Sequence, residues 1–257
     1  MYNEKSMQVT PFSTPIVKAN DDLWQLLRQV FSLSPLQEKS VVVVTSKVVA
    51  FCEGRVVPNS GSRTEKEALV RQEAEHYTDP HSSKYQLMLT VKHQVLAVNA
   101  GIDESNANEQ YVLLPSDPYA SAAEIWKWLQ KEYKLKDVGV IISDSRTFPL
   151  KWGTIGTCLA HAGFSAINNM IGKPDLFGRP LHLTQVNVAE ALAVAAVLEM
   201  GEAAEAQPVA VITDASMVVF QDHPPTQQEI KDMYIALEDD AYAPILTRAD
   251  WKKGGSN

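Results

Sequence analysis

The chain has 257 residues, 45% of them hydrophobic, and a formal net charge of −8. This is enough apolar material for a buried core, and the acidic balance argues against sequence-independent nucleic-acid binding, which needs a basic surface to displace counterions. No apolar run approaches the roughly 18 residues of a membrane span, and the two cysteines, Cys52 and Cys158, have no CxxC spacing and no apolar leader after Met1, which points to a reducing cytoplasm.

Val9 to Val17 reads as an extended segment broken by Pro11 and Pro15, and Asn20-Asp21-Asp22 caps a helix with Leu23, Leu26, Leu27 and Val30 on one face. Ser40 to Thr45 is an apolar strand whose exit carries Ser46 and Lys47, a pair that holds a phosphate or is simply solvated. After a polar loop at 59–64, Thr64 to His76 has the composition of a surface helix, with Glu67 three residues after a Thr cap. His76 and His81 read as exposed. Tyr85 to Val91 and Gln94 to Asn99 form a hairpin with Lys92-His93 at its tip. A helix from Ser121 to Tyr133 presents Ile125, Trp126 and Leu129 for packing. Leu181 to Val188 alternates like a strand, and Ala189 to Met200 is an apolar helix that must be buried. Gln207 to Thr213 is a last apolar strand, followed by an amphipathic helix over Thr226 to Leu237. Residues 1–250 read as one catalytic unit, with room for two interleaved lobes, and 251–257 as a flexible tail.

Two features in this order carry chemistry. Leu96-Ala-Val-Asn-Ala-Gly-Ile-Asp103-Glu-Ser-Asn106 and Val138-Gly-Val-Ile-Ile-Ser-Asp144-Ser145 each end an apolar strand in a carboxylate followed by further oxygen donors. Two such ends converging would favour a hard ion such as Mg or Mn over zinc; singly, each also reads as an Asx-turn or a helix cap. Arg146, Lys151 and Arg179 follow, so metal and polyphosphate could share the neighbourhood. No G-x-x-x-x-G-K-[ST] occurs, which excludes a P-loop.

Taken together, Ser46-Lys47 with Glu53-Gly54-Arg55, Asn99 to Asn106, Leu113-Leu-Pro-Ser-Asp117-Pro118, Val138 to Ser145, Asp175-Leu-Phe-Gly178-Arg179 and Met200-Gly201-Glu202 resemble the coenzyme F-420-0:γ-glutamyl ligase family, in the family's order. The resemblance implies an α+β fold of two lobes with mixed sheets and helices, neither P-loop nor Rossmann. It further implies a homodimer, a GTP- or ATP-dependent reaction, divalent Mn or Mg, and a γ-linked amide between L-glutamate and a carboxylate acceptor. It makes Asp103, Asp144, Ser145 and Glu202 the metal set, with Ser145 where the family usually has Thr. Thr14, Pro15, Ile16, Val17, Ser46, Lys47 and Asn106 match nucleotide-contacting positions. Met200, Gly201, Glu202, Ala203, Ala204, Glu205, Ala206 and Gln207 match the loop that wraps the nucleotide. Lys47, Lys151 and Arg179 are candidates for holding phosphate or glutamate carboxylates, the last two in catalysis.

The chain departs from the family pattern at Ala50-Phe51 (usually Ser-Lys), at Ser145-Arg-Thr-Phe-Pro149, at Ala189-Glu190 (usually Asp-Glu) and at Ala203 to Ala206, which replaces a glycine-rich loop. These departures are similar to a bacterial branch of the family associated with folate metabolism, so the acceptor is either a folate-type pterin acid or the deazaflavin precursor. Phe51 either offers its ring to the acceptor or packs in the core. The competing reading is a nucleotide-binding or regulatory relative without turnover.

Overall fold

The computed structural model describes residues 6–255. The chain enters on β1 (Gln8–Phe12) and turns into α1 (Leu23–Leu33). Asp22 is the cap, accepting the backbone N–H groups of Trp24 and Gln25 at 2.8 and 3.1 Å. β2 (Ser40–Thr45) runs straight into α2 (Ser46–Cys52), a helix absent from the sequence reading, and then β3 (Val56–Pro58). α3 (Arg63–Glu73) starts from Ser62 rather than Thr64, and Glu67 pairs with Arg63 and Arg71 instead of closing a capping box. β4 (His76–Tyr77) precedes the expected hairpin, β5 (Leu89–Lys92) and β6 (Val95–Val98). Its tip is His93-Gln94, both at positive φ, a turn whose twist matches the strands.

After β7 (Gln110–Val112), α4 (Pro118–Tyr133) is capped by Asp117 and ends on left-handed Lys134. β8 (Val138–Thr147), β9 (Thr154–Ala162), β10 (Ile167–Asn169), β11 (Gln185–Asn187) and α5 (Val188–Met200) follow. The strand expected over 181–188 is therefore only its last part, because 170–184 folds back on itself through Met170 N–H to Thr184 O and Gly172 N–H to Leu181 O. β12 (Val209–Thr213), α6 (Gln227–Met233), α7 (Ala243–Leu246) and β13 (Lys252–Lys253) complete the chain. α6 stops short of the expected Leu237 because Tyr234 turns extended and brings its hydroxyl 3.2 Å from that of Tyr119.

One open sheet in the order β1-β12-β2-β8-β9 organises the larger lobe, with β2 and β8 parallel and the other neighbours antiparallel. Val42 and Val44 face α1 and α4 while Val41 and Val43 face α5, so both faces of β2 are covered and its sequence is continuously apolar. The smaller lobe is a sheet in the order β13-β4-β5-β6 with the β3–β7 pair and α3, closed on its own core of Val70, Met88, Ala100, Ile102, Tyr111 and Leu113. The architecture is α+β, as the resemblance implied. Residues 252–255 of the expected flexible tail are instead pinned: β13 pairs with β4, and the N–H groups of Gly254 and Gly255 reach Glu75 O and Arg71 O. The edge of β4 and the last turn of α3 with the residues after it supply the partners those backbone groups need. Residues 256 and 257 of that tail lie outside the described residues.

Candidate active site

The smaller lobe contributes Asp103 through an unusual turn. Asn99, Ala100 and Gly101 take φ of 51, 55 and 69°, three left-handed residues in succession, two of them not glycine. The turn is held by its surroundings: Asn99 Oδ1 accepts the Met88 N–H at 3.0 Å, and the Ala100 N–H donates to Thr90 Oγ1 at 2.8 Å. Asp103 then pairs with Val112 through both backbone groups. Its carboxylate accepts the N–H of Ser105 at 2.7 Å, the Ser105 hydroxyl at 3.0 Å and the Lys47 ammonium at 2.6 Å. Burial works against ionisation here, but Lys47 and the Ser105 hydrogen bonds hold the carboxyl below its ordinary range.

The larger lobe contributes Asp144 and Ser145. Contrary to expectation they do not follow the strand end but lie inside β8, opposite Thr157 and Gly156 of β9, just past an irregularity at Ile142/Ser143. β2 ends at Thr45 opposite Ser143, so β8 and β9 continue as a two-stranded arm and Asp144 opens towards the start of α2. There Ser46 Oγ donates to Asp144 Oδ1 at 2.9 Å. Burial pushes the Asp144 carboxyl up to about 6, against the bonds from Ser46 and the Ser145 N–H, with nearby Asp103 adding to the rise.

Glu202 arrives from α5. Gly201, at φ 82°, makes the turn that ends the helix, and a Cβ there would stand 2.4 Å from Glu205 Cδ. Ser145 Oγ meets both Glu202 oxygens at 2.9 and 2.8 Å. The loop after Met200 is tied on both sides: Asn106 Nδ2 donates to Ala203 O at 2.7 Å, and the Thr14 N–H to Ala206 O at 2.9 Å. The Ala203 N–H closes the loop on Glu205 Oε2, and Gln207 leads into the Pro208 carbonyl that accepts from Thr45 N–H. Pro15 and Ile16 are exposed beside this strap, while Val17 packs inward. Asp103, Asp144, Ser145, Glu202, Ser46, Lys47, Asn106, Thr14 and the loop 200–207 are thus joined by direct contacts or chain adjacency.

Three sequence candidates stand apart. Lys151 lies at the tip of the β8–β9 arm with its ammonium 5.5 Å from the centre of the Phe148 ring, and Arg179 is exposed between β10 and β11 in a turn closed by the Asp175 carboxylate. Among the described residues neither side chain makes a polar contact with the carboxylates. Phe51, for which two orientations were open, is 7% exposed and packs with Ala50, Ala107 and Val112, because α2 turns that face into the core. A Lys at this position would bring its stem into that cluster.

The structure also uses residues that sequence reasoning left without a role. Glu190 accepts the Thr157 hydroxyl and the Cys158 N–H at 3.1 Å, with Arg146 at 3.8 Å, beneath the strand that pairs with Asp144. Glu53 accepts the N–H and hydroxyl of Ser116 and the hydroxyl of Ser121, and Arg55 reaches Glu73 and Leu114 O. Two motifs far apart in sequence therefore interlock as structure. A charged residue repeated within a motif was the available signal, but its partner was not.

The donor set is oxygen only, as a hard divalent cation requires, and Asp103 already takes a cation in Lys47. Among the described residues no three His, Cys, Asp or Glu side chains converge into a closed metal cage. A cation here fits the open style of magnesium sites, which complete their shell with water and substrate phosphates.

The profile of the family described as F420-0:Gamma-glutamyl ligase matches residues 11–214. Among its relatives, the Coenzyme F420:L-glutamate ligase of Methanococcus maripaludis is 31% identical over 229 residues, covering 84% of this chain and 91% of that one. That of Methanothermobacter thermautotrophicus is 32% identical over 217 residues, 77% and 84% of the two chains. That of Archaeoglobus fulgidus is 30% identical over 250 residues, 91% and 95%.

Proposed function

The chain belongs to the F420-0:Gamma-glutamyl ligase family, and on that premise we propose that it is a γ-glutamyl ligase that uses GTP or ATP and a divalent Mn or Mg ion to join L-glutamate to an acceptor carboxylate. The observation that carries the reading is the meeting of Asp103, Asp144 and Ser145–Glu202, delivered by separate segments, at the mouth of the 200–207 loop. A carboxylate is a poor electrophile. Its oxygen attacks the γ-phosphorus, the bond to the β-phosphate oxygen breaks, and nucleoside diphosphate leaves. The glutamate amine, having lost a proton, then attacks the acyl carbon and expels phosphate.

In this reaction a bound divalent ion neutralises charge on the phosphate oxygens. Asp103, Asp144, Ser145 and Glu202 are the residues to hold it. Ser46 fixes the Asp144 carboxylate, Lys47, which holds Asp103, would turn to the phosphates, and Asn106 and Thr14 anchor the loop that would wrap the nucleotide. Lys151 and Arg179 lie on exposed turns and are the candidates to receive substrate carboxylates. The acceptor is a folate-type pterin acid or the deazaflavin precursor named for the relatives' coenzyme. Burial of Phe51 removes it from the acceptor surface. The reading includes a homodimer, for which exposed Leu150, Trp152, Leu176, Phe177 and Leu183 supply apolar surface.

The test is release of phosphate from GTP or ATP with L-glutamate, Mn and each acceptor in turn, with the product identified by mass. A glutamate-extended acceptor formed with stoichiometric phosphate supports the ligase. Nucleotide binding with no acceptor-dependent phosphate release supports the inactive relative.

A further inference from the structure

Lys47 stands where a metal ion would be useful. Its ammonium lies 2.6 Å from Asp103 Oδ2, 3.1 Å from the carbonyl oxygen of Ser105 and 3.2 Å from its hydroxyl. Three oxygens thus meet its three N–H donors. A carboxylate, a backbone carbonyl and a hydroxyl are also ligands a hard divalent cation accepts. The Ser105 hydroxyl, accepting from Lys47, donates its own hydrogen bond to Asp103 at 3.0 Å, so the three groups form one hydrogen-bonded unit. The lysine comes from the first turn of α2, next to Ser46, which grips Asp144. With its side chain 26% exposed, the flexible stem can swing without disturbing the helix.

We infer that Lys47 is the built-in occupant of the cation site at Asp103, competing with the divalent ion for that carboxylate until a polyphosphate offers the ammonium another partner. Without such an ion, Lys47 neutralises Asp103 beside Asp144 and keeps the two carboxylates from repelling each other open. An ion binding Asp103 must displace the ammonium. A polyphosphate that draws Lys47 away therefore strengthens ion binding, and by linkage the ion strengthens polyphosphate binding to the same degree. The device couples the loading of the divalent ion and the nucleotide of the ligase proposed above, and its reference to a divalent ion rests on that reading.

The test is calorimetric titration of Mn into chelator-stripped protein, alone and with the β,γ-imido analogue of GTP, for wild type, Lys47→Gln and Lys47→Met. The nucleotide-free affinity for Mn is expected to rise about tenfold in both variants. The gain in Mn affinity that the analogue produces in the wild type should shrink in both. Two replacements of different polarity guard against a folding defect, which circular dichroism reports. Unchanged or weaker Mn binding in the folded variants overturns the inference, as does absence of Mn binding in wild type and variants alike. The ligase reading fails separately, when wild type releases no acceptor-dependent phosphate whatever its Mn affinity.

Discussion

Asp144 has a carboxyl that burial pushes up to about 6, so at neutral pH an ion-free site bears the cost of a charge beside Asp103. Asp144→Asn removes that cost, and Asp103→Asn removes the like charge from the other side. Both variants are expected to lose turnover by at least about 100-fold, while Asp144→Asn melts at or above the wild-type temperature in chelator. Near wild-type turnover in either would sink the metal assignment. His161 offers a cleaner pH test, since it lies outside the site. It is 1% exposed, packed between the rings of Tyr119 and Phe164, and burial pushes its imidazole down to about 4, with Glu229 opposing weakly. The unfolded imidazole titrates near 6.5, so below that value the unfolded chain binds the proton first. Stability present above pH 6.5 is then lost as pH falls towards 4, by up to about 3 kcal/mol. Denaturant melts across that range should show His161→Leu losing this much less than wild type. An unchanged acid limb would show that other groups dominate.

At the scale of elements, the active site depends on how closely α5 approaches the β8–β9 arm. A Cβ on Gly156 would stand 2.6 Å from Ala193 O and 2.7 Å from Val197 Cβ, so only glycine permits this contact. Gly156→Ala is expected to cost about 1–3 kcal/mol. It should also weaken nucleotide binding, because α5 carries Glu202 to Ser145, the strand partner of Gly156. Calorimetry of the nucleotide analogue alongside a thermal melt checks it; lost stability with unchanged binding would uncouple helix position from the loop. The helices were legible where their signals are local. Asp22 caps as read, whereas Asp117 starts α4 three residues ahead of the expected Ser121, and Thr226 closes a capping box that the reading did not assign. α2 was not legible, since Ser-Lys-Val-Val-Ala-Phe continues a Val-rich strand and only the end of pairing with β12 and β8 breaks it. α5 was read as wholly buried, yet Leu198 on its outer face is exposed.

At the scale of the molecule, the five most exposed large apolar side chains among the described residues lie on two excursions, Leu150 and Trp152 on the arm and Leu176, Phe177 and Leu183 in the loop between β10 and β11. Light scattering behind size exclusion should find a homodimer for wild type and a monomer for the pair Phe177→Glu with Leu183→Glu. A monomeric wild type would remove the dimer from the proposal. The sequence by itself determined the features whose physics is local. The apolar run Val41–Val44, the β5–β6 hairpin, the Asp22 cap and the oxygen-rich motifs at Asp103 and Asp144 depend on neighbours within a few residues. Only the tertiary structure decided which of those motifs meet. It put Lys47 against Asp103, Ser145 against Glu202 and Glu53 against Ser116. It also turned Phe51 inward, left Lys151 and Arg179 outside, and paired Lys252 and Lys253 with β4. Such pairings are set by sheet order and by where one strand outruns its neighbour, which no short window of residues encodes.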